Sequence, residues 1–178
     1  MNPLVFVTVG TDHHPFHRMI DWMEPWAAAH PDVRCVVQHG TSRAPAFGEC
    51  HPLISHDRVA ELMSTAAAVV CHGGPGTVAA AREAGRLPIV VPRRSGLGEH
   101  VDDHQVRFTT LMAERGLILR PDTAEDLHAR LDTALATPGA HTVTAEGVRT
   151  DEVAERFGLL VEELMARPRR RGWRRPAG

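Results

Sequence analysis

Ala68-Val69-Val70-Cys71-His72-Gly73-Gly74-Pro75-Gly76-Thr77-Val78-Ala79-Ala80-Ala81 is the stretch that decides the fold. An apolar run, a glycine loop and an alanine-rich run follow one another, which reads as buried strand, tight loop and helix start. Such a loop aims free backbone N–H groups and the positive end of a helix dipole at one spot, the chemistry of a phosphate or diphosphate seat. Glycines let the backbone come close to an anion, and Pro75 suits the first helical turn, where its missing N–H has no intrahelical bond to lose.

The same alternation extends in both directions. Strand candidates are 4–9, 33–38, 52–55, 67–71, 88–91 and 117–119, and helical candidates fall at 15–29, 57–66, 76–85, 103–114 and 123–136. The last helix has a cap-like start at Thr123-Ala124-Glu125-Asp126 and a stop at Pro138-Gly139. This order predicts an α/β chain: a Rossmann-like parallel sheet with helices on both faces, over residues 1–139. In such a sheet, ligands sit at the carboxyl ends of the strands, so the loops 10–16, 39–48, 72–77 and 92–103 are expected to share one rim. Residues 140–150 read as a connector, and Val153, Phe157, Leu160, Val161 and Leu164 recur at helical spacing, making 140–166 a connector and C-terminal docking helix. Residues 167–178 form an Arg-rich flexible tail whose basic charge and Trp173 suit a membrane surface or an acidic partner.

Composition narrows the function classes. With 178 residues and 43% hydrophobic content, one core is the default. No apolar run reaches the roughly 18 residues of a membrane span. A strand-like run at Leu4–Val9 with no basic region or cleavage site before it predicts no secretory signal. Cys35, Cys50 and Cys71 are too few and scattered for a disulfide framework, and the expected location is cytoplasmic. All 20 basic residues are arginine, which excludes a Walker-type lysine loop and Schiff-base chemistry. Six of those arginines lie in 167–175, so the other 14 face 22 acidic residues and the body is acidic. Nucleic acid is therefore not the expected partner.

Two further loops carry chemistry. After the first strand comes Gly10-Thr11-Asp12-His13-His14, where glycine permits close approach, Thr11 offers a hydroxyl, and His13 and His14 are candidates for phosphate contact or proton transfer. After the fifth come Arg93-Arg94-Ser95-Gly96-Leu97-Gly98-Glu99-His100-Val101-Asp102-Asp103-His104-Gln105, whose carboxylate, imidazole and amide groups suit sugar hydroxyls. Arg93 and Arg94 can offset phosphate charge or stand in solvent. His100 and His104 near Asp103 have a spacing that can bind a metal, but with neither an HExxH pattern nor thiolate pairing, no metal is assigned.

Val5-Phe6-Val7-Thr8-Val9-Gly10-Thr11 with Phe16, His72-Gly73-Gly74-Pro75-Gly76-Thr77, Gly85-x-x-Pro88-Ile89-Val90-Val91-Pro92 and His104-Gln105 follow in order across residues 4–136. Together they resemble the C-terminal, donor-binding domain of family 28 glycosyltransferases of the GT-B type. Relatives include the peptidoglycan enzyme that makes lipid II. Closer in pattern are the free-standing catalytic subunits of the dolichol-linked GlcNAc transferase and of bacterial exopolysaccharide transferases. The resemblance implies that His72, Gly73, Gly74, Gly76 and Thr77 hold a nucleotide diphosphate, with Gly10 and Thr11 close by, and that His104 and Gln105 contact the donor sugar. It implies a nucleotide diphosphate sugar, UDP-linked, as substrate and no cofactor. The family often carries an acidic residue for the ribose on the helix after the glycine loop; this chain has Ala80 there, with Glu83 one turn on.

The resemblance further implies a two-component inverting transferase. A membrane-associated partner subunit would supply a lipid-linked acceptor at the inner face of the membrane. Two alternatives stand beside it: a non-catalytic nucleotide-sugar-binding subunit, and an NADP-dependent oxidoreductase, since Gly74-Pro75-Gly76-Thr77-Val78-Ala79 also fits GxGxxA.

Overall fold

Five short runs, β1 (Leu4–Thr8), β2 (Arg34–Gln38), β3 (Glu49–His51), β4 (Ala68–His72) and β5 (Ile89–Val91), pair in the order β3-β2-β1-β4-β5, every pair parallel. The computed structural model describes residues 2–143. The helices are α1 (His17–Ala29), α2 (His56–Thr65), α3 (Pro75–Glu83), α4 (His104–Glu114) and α5 (Ala124–Ala136). The expected docking helix and tail lie outside the described residues.

Strand alternation sorts the core into two layers. Val5, Val7 and Val9 face one way and pack with Met19, Ile20, Met23 and Trp26 of α1 and Leu127 and Leu131 of α5. Phe6, Val36 and Val69 face the other way, onto Leu62 and Met63 of α2 and Ala81 of α3. Cys71 and Val90 continue that second face against Val78, Phe108 and Met112 of α3 and α4. Because both faces are covered, the central strands need apolar residues at every position, which is why they read as unbroken runs.

Two strand expectations are corrected. The third strand is Glu49–His51, paired with Val36–Gln38, and not 52–55. Gly48 holds φ +71 there and packs directly on Cys35, and Pro52, lacking an N–H, ends the pairing. Leu53, in the misassigned run, is 68% exposed. The 117–119 run forms only a single parallel bridge, Ile89 to Leu119. The expected connector also begins in contact with the domain: Leu87 N–H donates to the His141 carbonyl, and Val143 N–H to the Gly85 carbonyl.

The strand order reverses between β1 and β4. From β1 the chain proceeds outward to β2 and β3, and from β4 outward to β5. A crevice opens at the carboxyl ends of strands at such a switch point. Arg93, just past β5, fastens the two sides. It is fully buried and donates to the carbonyls of Val9 and His14 at 2.7 Å each and of Glu99 at 3.0 Å, with its guanidinium 4.8 Å from the Phe16 ring centroid. Glu99 in turn is held by Arg18 through two bonds of 2.8 and 2.9 Å. Arg93 is thus not a surface charge: its side chain faces protein carbonyls.

Replacing Arg93 with methionine keeps the bulk but strands the buried carbonyls of Val9 and Glu99 and the part-buried one of His14. We expect Arg93→Met to lower unfolding free energy by about 3 kcal/mol or more, read from urea denaturation. An unchanged midpoint would contradict this role.

Candidate functional site

At the carboxyl end of β1, Gly10 takes φ +82 and its N–H donates to Thr8 Oγ1 at 3.2 Å. Opposite it, β4 runs into His72, and Gly74 is the N-cap of α3 with Pro75 at the first helical position. The His72 ring is wedged between the two loops: a Cβ on Gly10 would strike its Cε1, and one on Gly74 its Nε2. Both positions need glycine to admit this ring. Gly73 is likewise closed in, by Thr109 and Gln105. Gly76 differs, since a Cβ there would meet nothing within 4 Å. Its N–H and that of Thr77 belong to the first helical turn, whose donors have no intrahelical acceptor. They make the open, anion-ready part of the loop.

His72 keeps some exposure toward the crevice, yet its Nδ1 is shut off from solvent without a hydrogen-bond partner. Burial, reinforced by the Arg93 charge, pushes its pKa down to about 4. At neutral pH it is an uncharged imidazole beside the seat.

The seat opens into a cleft of about 850 Å³. Thr8, Gly10, Thr11, His72, Gly76 and Thr77 line the part next to the loop. Ala80 and Glu83 of α3 and His56, Ala60 and Ser64 of α2 line the remainder. Gln38 also lines the cleft and ties its floor, donating to Thr8 Oγ1 at 3.2 Å and accepting from Ile54 N–H at 3.0 Å. Nothing in the sequence pattern marked Gln38, because its role follows from the β2 register. Ala80 leaves that wall without a carboxylate at its own position, while Glu83 supplies one a turn further along.

The loop after β1 carries a second group. Asp12 Oδ1 accepts from both the backbone N–H and Nδ1 of His14, each at 2.7 Å, and its Oδ2 faces His100 Nε2 at 3.3 Å. Burial raises the Asp12 pKa, but the His14 bonds and the Arg93 and His100 charges outweigh it and hold it at about 2. His14 is thus an imidazole oriented by a carboxylate. His13 is 81% exposed and 3.6 Å from the same carboxylate. Asp12, absent from the sequence-derived candidates, is the hub of this loop, and its place between Gly10 and the two histidines was the available signal.

His104 opens α4 with Nδ1 2.6 Å from Asp102 Oδ1. Gln105 is only 3% exposed; its Oε1 accepts from Arg93 N–H at 3.2 Å and it packs against Gly73. The fold therefore gathers Gly10, Thr11, His72, Gly76 and Thr77 around one cleft, His13 and His14 around Asp12, and His104 around Asp102. Gln105 stands behind the glycine loop as a strut.

The model of the glycosyltransferase family 28 C-terminal domain matches residues 4–156. The chain belongs to this family. No curated protein matches it at a significant level. Among solved structures, the fold is similar to the calicheamicin glycosyltransferase CalG4, with TM-score 0.54 and 21% identity over 93% of this chain and 43% of that one. It is also similar to the spinosyn forosaminyltransferase SpnP, with TM-score 0.55 and 18% identity over 94% and 40%. The glycotransferase of kitacinnamycin gives TM-score 0.52 and 22% identity over 93% and 39%. The chain thus spans about two-fifths of the length of these structures, and its sheet and helices are those of the C-terminal half of a GT-B glycosyltransferase.

The depressed His72 pKa gives this family 28 domain a testable pH dependence. Folded His72 titrates near 4 and the unfolded side chain near 6.5, so the unfolded state takes up the proton first. The stability tied to this group is complete above about 6.5 and is lost as pH falls toward 4. Urea unfolding of His72→Gln should lose up to about 3 kcal/mol less than the unsubstituted chain over that range. Equal pH profiles for the two would contradict the assignment.

Proposed function

We propose that this domain binds a nucleotide diphosphate sugar, UDP-linked, as the donor half of an inverting glycosyltransferase. The observation that supports this most is the continuity of the anion seat at Gly76 and Thr77 with the cleft between α2 and α3. A diphosphate at the helix start would leave its nucleoside to enter the cleft beside Ala80 and Glu83. Its sugar would lie toward Asp12, His14 and His104.

In a single displacement, the acceptor hydroxyl attacks the anomeric carbon, its proton passes to a base, and the nucleoside diphosphate leaves with the bonding electron pair. The N–H groups at the α3 terminus favour the charge that develops on that leaving group. His14 is the better candidate base of the two neighbouring histidines, because Asp12 orients its ring and stabilises the imidazolium it becomes. The acceptor side is assigned to a membrane-associated partner subunit that presents a lipid-linked acceptor, with this chain peripheral at the cytoplasmic face. No helix among the described residues is long and apolar enough to cross a membrane. The six arginines of 167–175 suit a negatively charged surface.

Gly76→Glu tests the seat without disturbing packing, since its Cβ enters open space. By calorimetry, UDP should bind the unsubstituted chain, and Gly76→Glu should weaken it by about tenfold or more through like-charge repulsion. NADP should bind more weakly than UDP. Equal UDP affinity for the two chains, or preference for NADP, would overturn the reading.

A further inference from the structure

Three side chains beside the seat, but outside the cleft, form a group of which the proposed sugar transfer uses only His104. His100, Asp102 and His104 each offer a ligand atom, all within 4.8 Å of one another. His104 Nδ1 lies 2.6 Å and His100 Nδ1 3.8 Å from Asp102 Oδ1. A tetrahedral ion with bonds of about 2.0–2.1 Å sets its ligand atoms roughly 3.3 Å apart, a spacing these two distances straddle. Binding would open the hydrogen bond between His104 Nδ1 and Asp102 Oδ1 to about that spacing, the ion taking the place of the proton they share.

The surroundings favour an ion over a chance cluster. His100 Nε2 faces Asp12 Oδ2 at 3.3 Å, and the Asp102 N–H approaches its Nδ1 at 3.4 Å. That pattern puts the proton on Nε2 and the lone pair on Nδ1, toward Asp102. A carboxylate on the far nitrogen of a ligating histidine is the usual way proteins fix ring orientation and raise basicity at metal centres. Asp12 is itself held by His14. Asp102 Oδ1 is anchored by the backbone N–H of His104 at 3.0 Å, so little ordering is left for the ion to impose.

We infer that His100, Asp102 and His104 form a transition-metal site on the rim of the donor seat, with Asp12 fixing the His100 ring from behind. Two imidazoles and one carboxylate suit Zn²⁺ or Co²⁺, whereas Mg²⁺ prefers all-oxygen ligands. Three protein ligands leave a position open for water or an oxygen of a bound molecule. Although no metal was assigned from the sequence, Asp102 rather than Asp103 completes the set. The neighbouring group of Asp12, His13 and His14 is the weaker choice, because His13 is 81% exposed and Asp12 is already engaged by His14 and His100.

The test uses the full chain, freed of metal by a chelator and dialysis, and titrated with ZnCl₂ by calorimetry. One saturable site is expected, with no comparable heat from MgCl₂. His100→Ala and His104→Ala should each weaken it by about 100-fold, and Asp12→Asn by about 10- to 100-fold. His13→Ala should bind as the unsubstituted chain does. Circular dichroism checks that each variant folds. Visible absorption of the Co²⁺-loaded unsubstituted chain provides a readout that needs no variant. Absence of both a saturable zinc site and cobalt bands would overturn the inference, as would undiminished binding in folded His100→Ala and His104→Ala, or loss confined to His13→Ala. Because no nucleotide is present, the result is independent of UDP binding.

Discussion

Arg93 reaches the carbonyls of Val9 and His14, in the segment that follows β1, and that of Glu99, in the loop after β5, from a position where its own side chain is sealed from solvent. A guanidinium sealed from water needs protein acceptors, and here its two terminal nitrogens find backbone carbonyls from the two loops that flank the switch point, while Nε is left without one. The consequence is a rim of fixed shape. Gly10 is held opposite His72, Gln105 is held behind Gly73 by the Arg93 N–H, and Asp12 is held within reach of His14 and His100. Removing the charge would free the Val9, His14 and Glu99 carbonyls, while the Arg93 backbone bond to Gln105 would remain.

With that rim rigid, the glycine loop divides into two parts. Gly10, Gly73 and Gly74 are small because protein atoms press on them, chiefly the His72 ring and Gln105. Gly76 alone of the loop glycines faces open space, next to the cleft. A neutral His72 adds shape and polarity there without adding charge. The anion field is thus left to the helix terminus, which costs no reorganisation when a ligand arrives.

Much of this was legible in the sequence. The unbroken apolar runs of β1, β4 and β5 announced a sheet covered on both faces, and the loop at 72–77 announced a glycine turn into a helix start. Glu49–His51 escaped because a three-residue edge strand of polar residues has no pattern of its own; its pairing with Val36–Gln38 makes it a strand. Arg93 escaped for a related reason. An arginine after a strand reads as surface or ligand charge, and its burial depends on carbonyls 79 and 84 residues away. Asp12 and Asp102 were visible but anonymous, since only tertiary structure sets them against His14, His100 and His104.

The central claim is that the helix start at Gly76 and Thr77, with the cleft behind it, receives a nucleoside diphosphate. Amide chemical shifts of the ¹⁵N-labelled chain, followed as UDP is added, test it most directly. The account predicts that the largest shifts fall on Gly73, Gly74, Gly76, Thr77, Gly10 and Thr11, with smaller ones along the facing sides of α2 and α3. Saturating shifts centred elsewhere, with the Gly73–Thr77 amides unmoved, would contradict it.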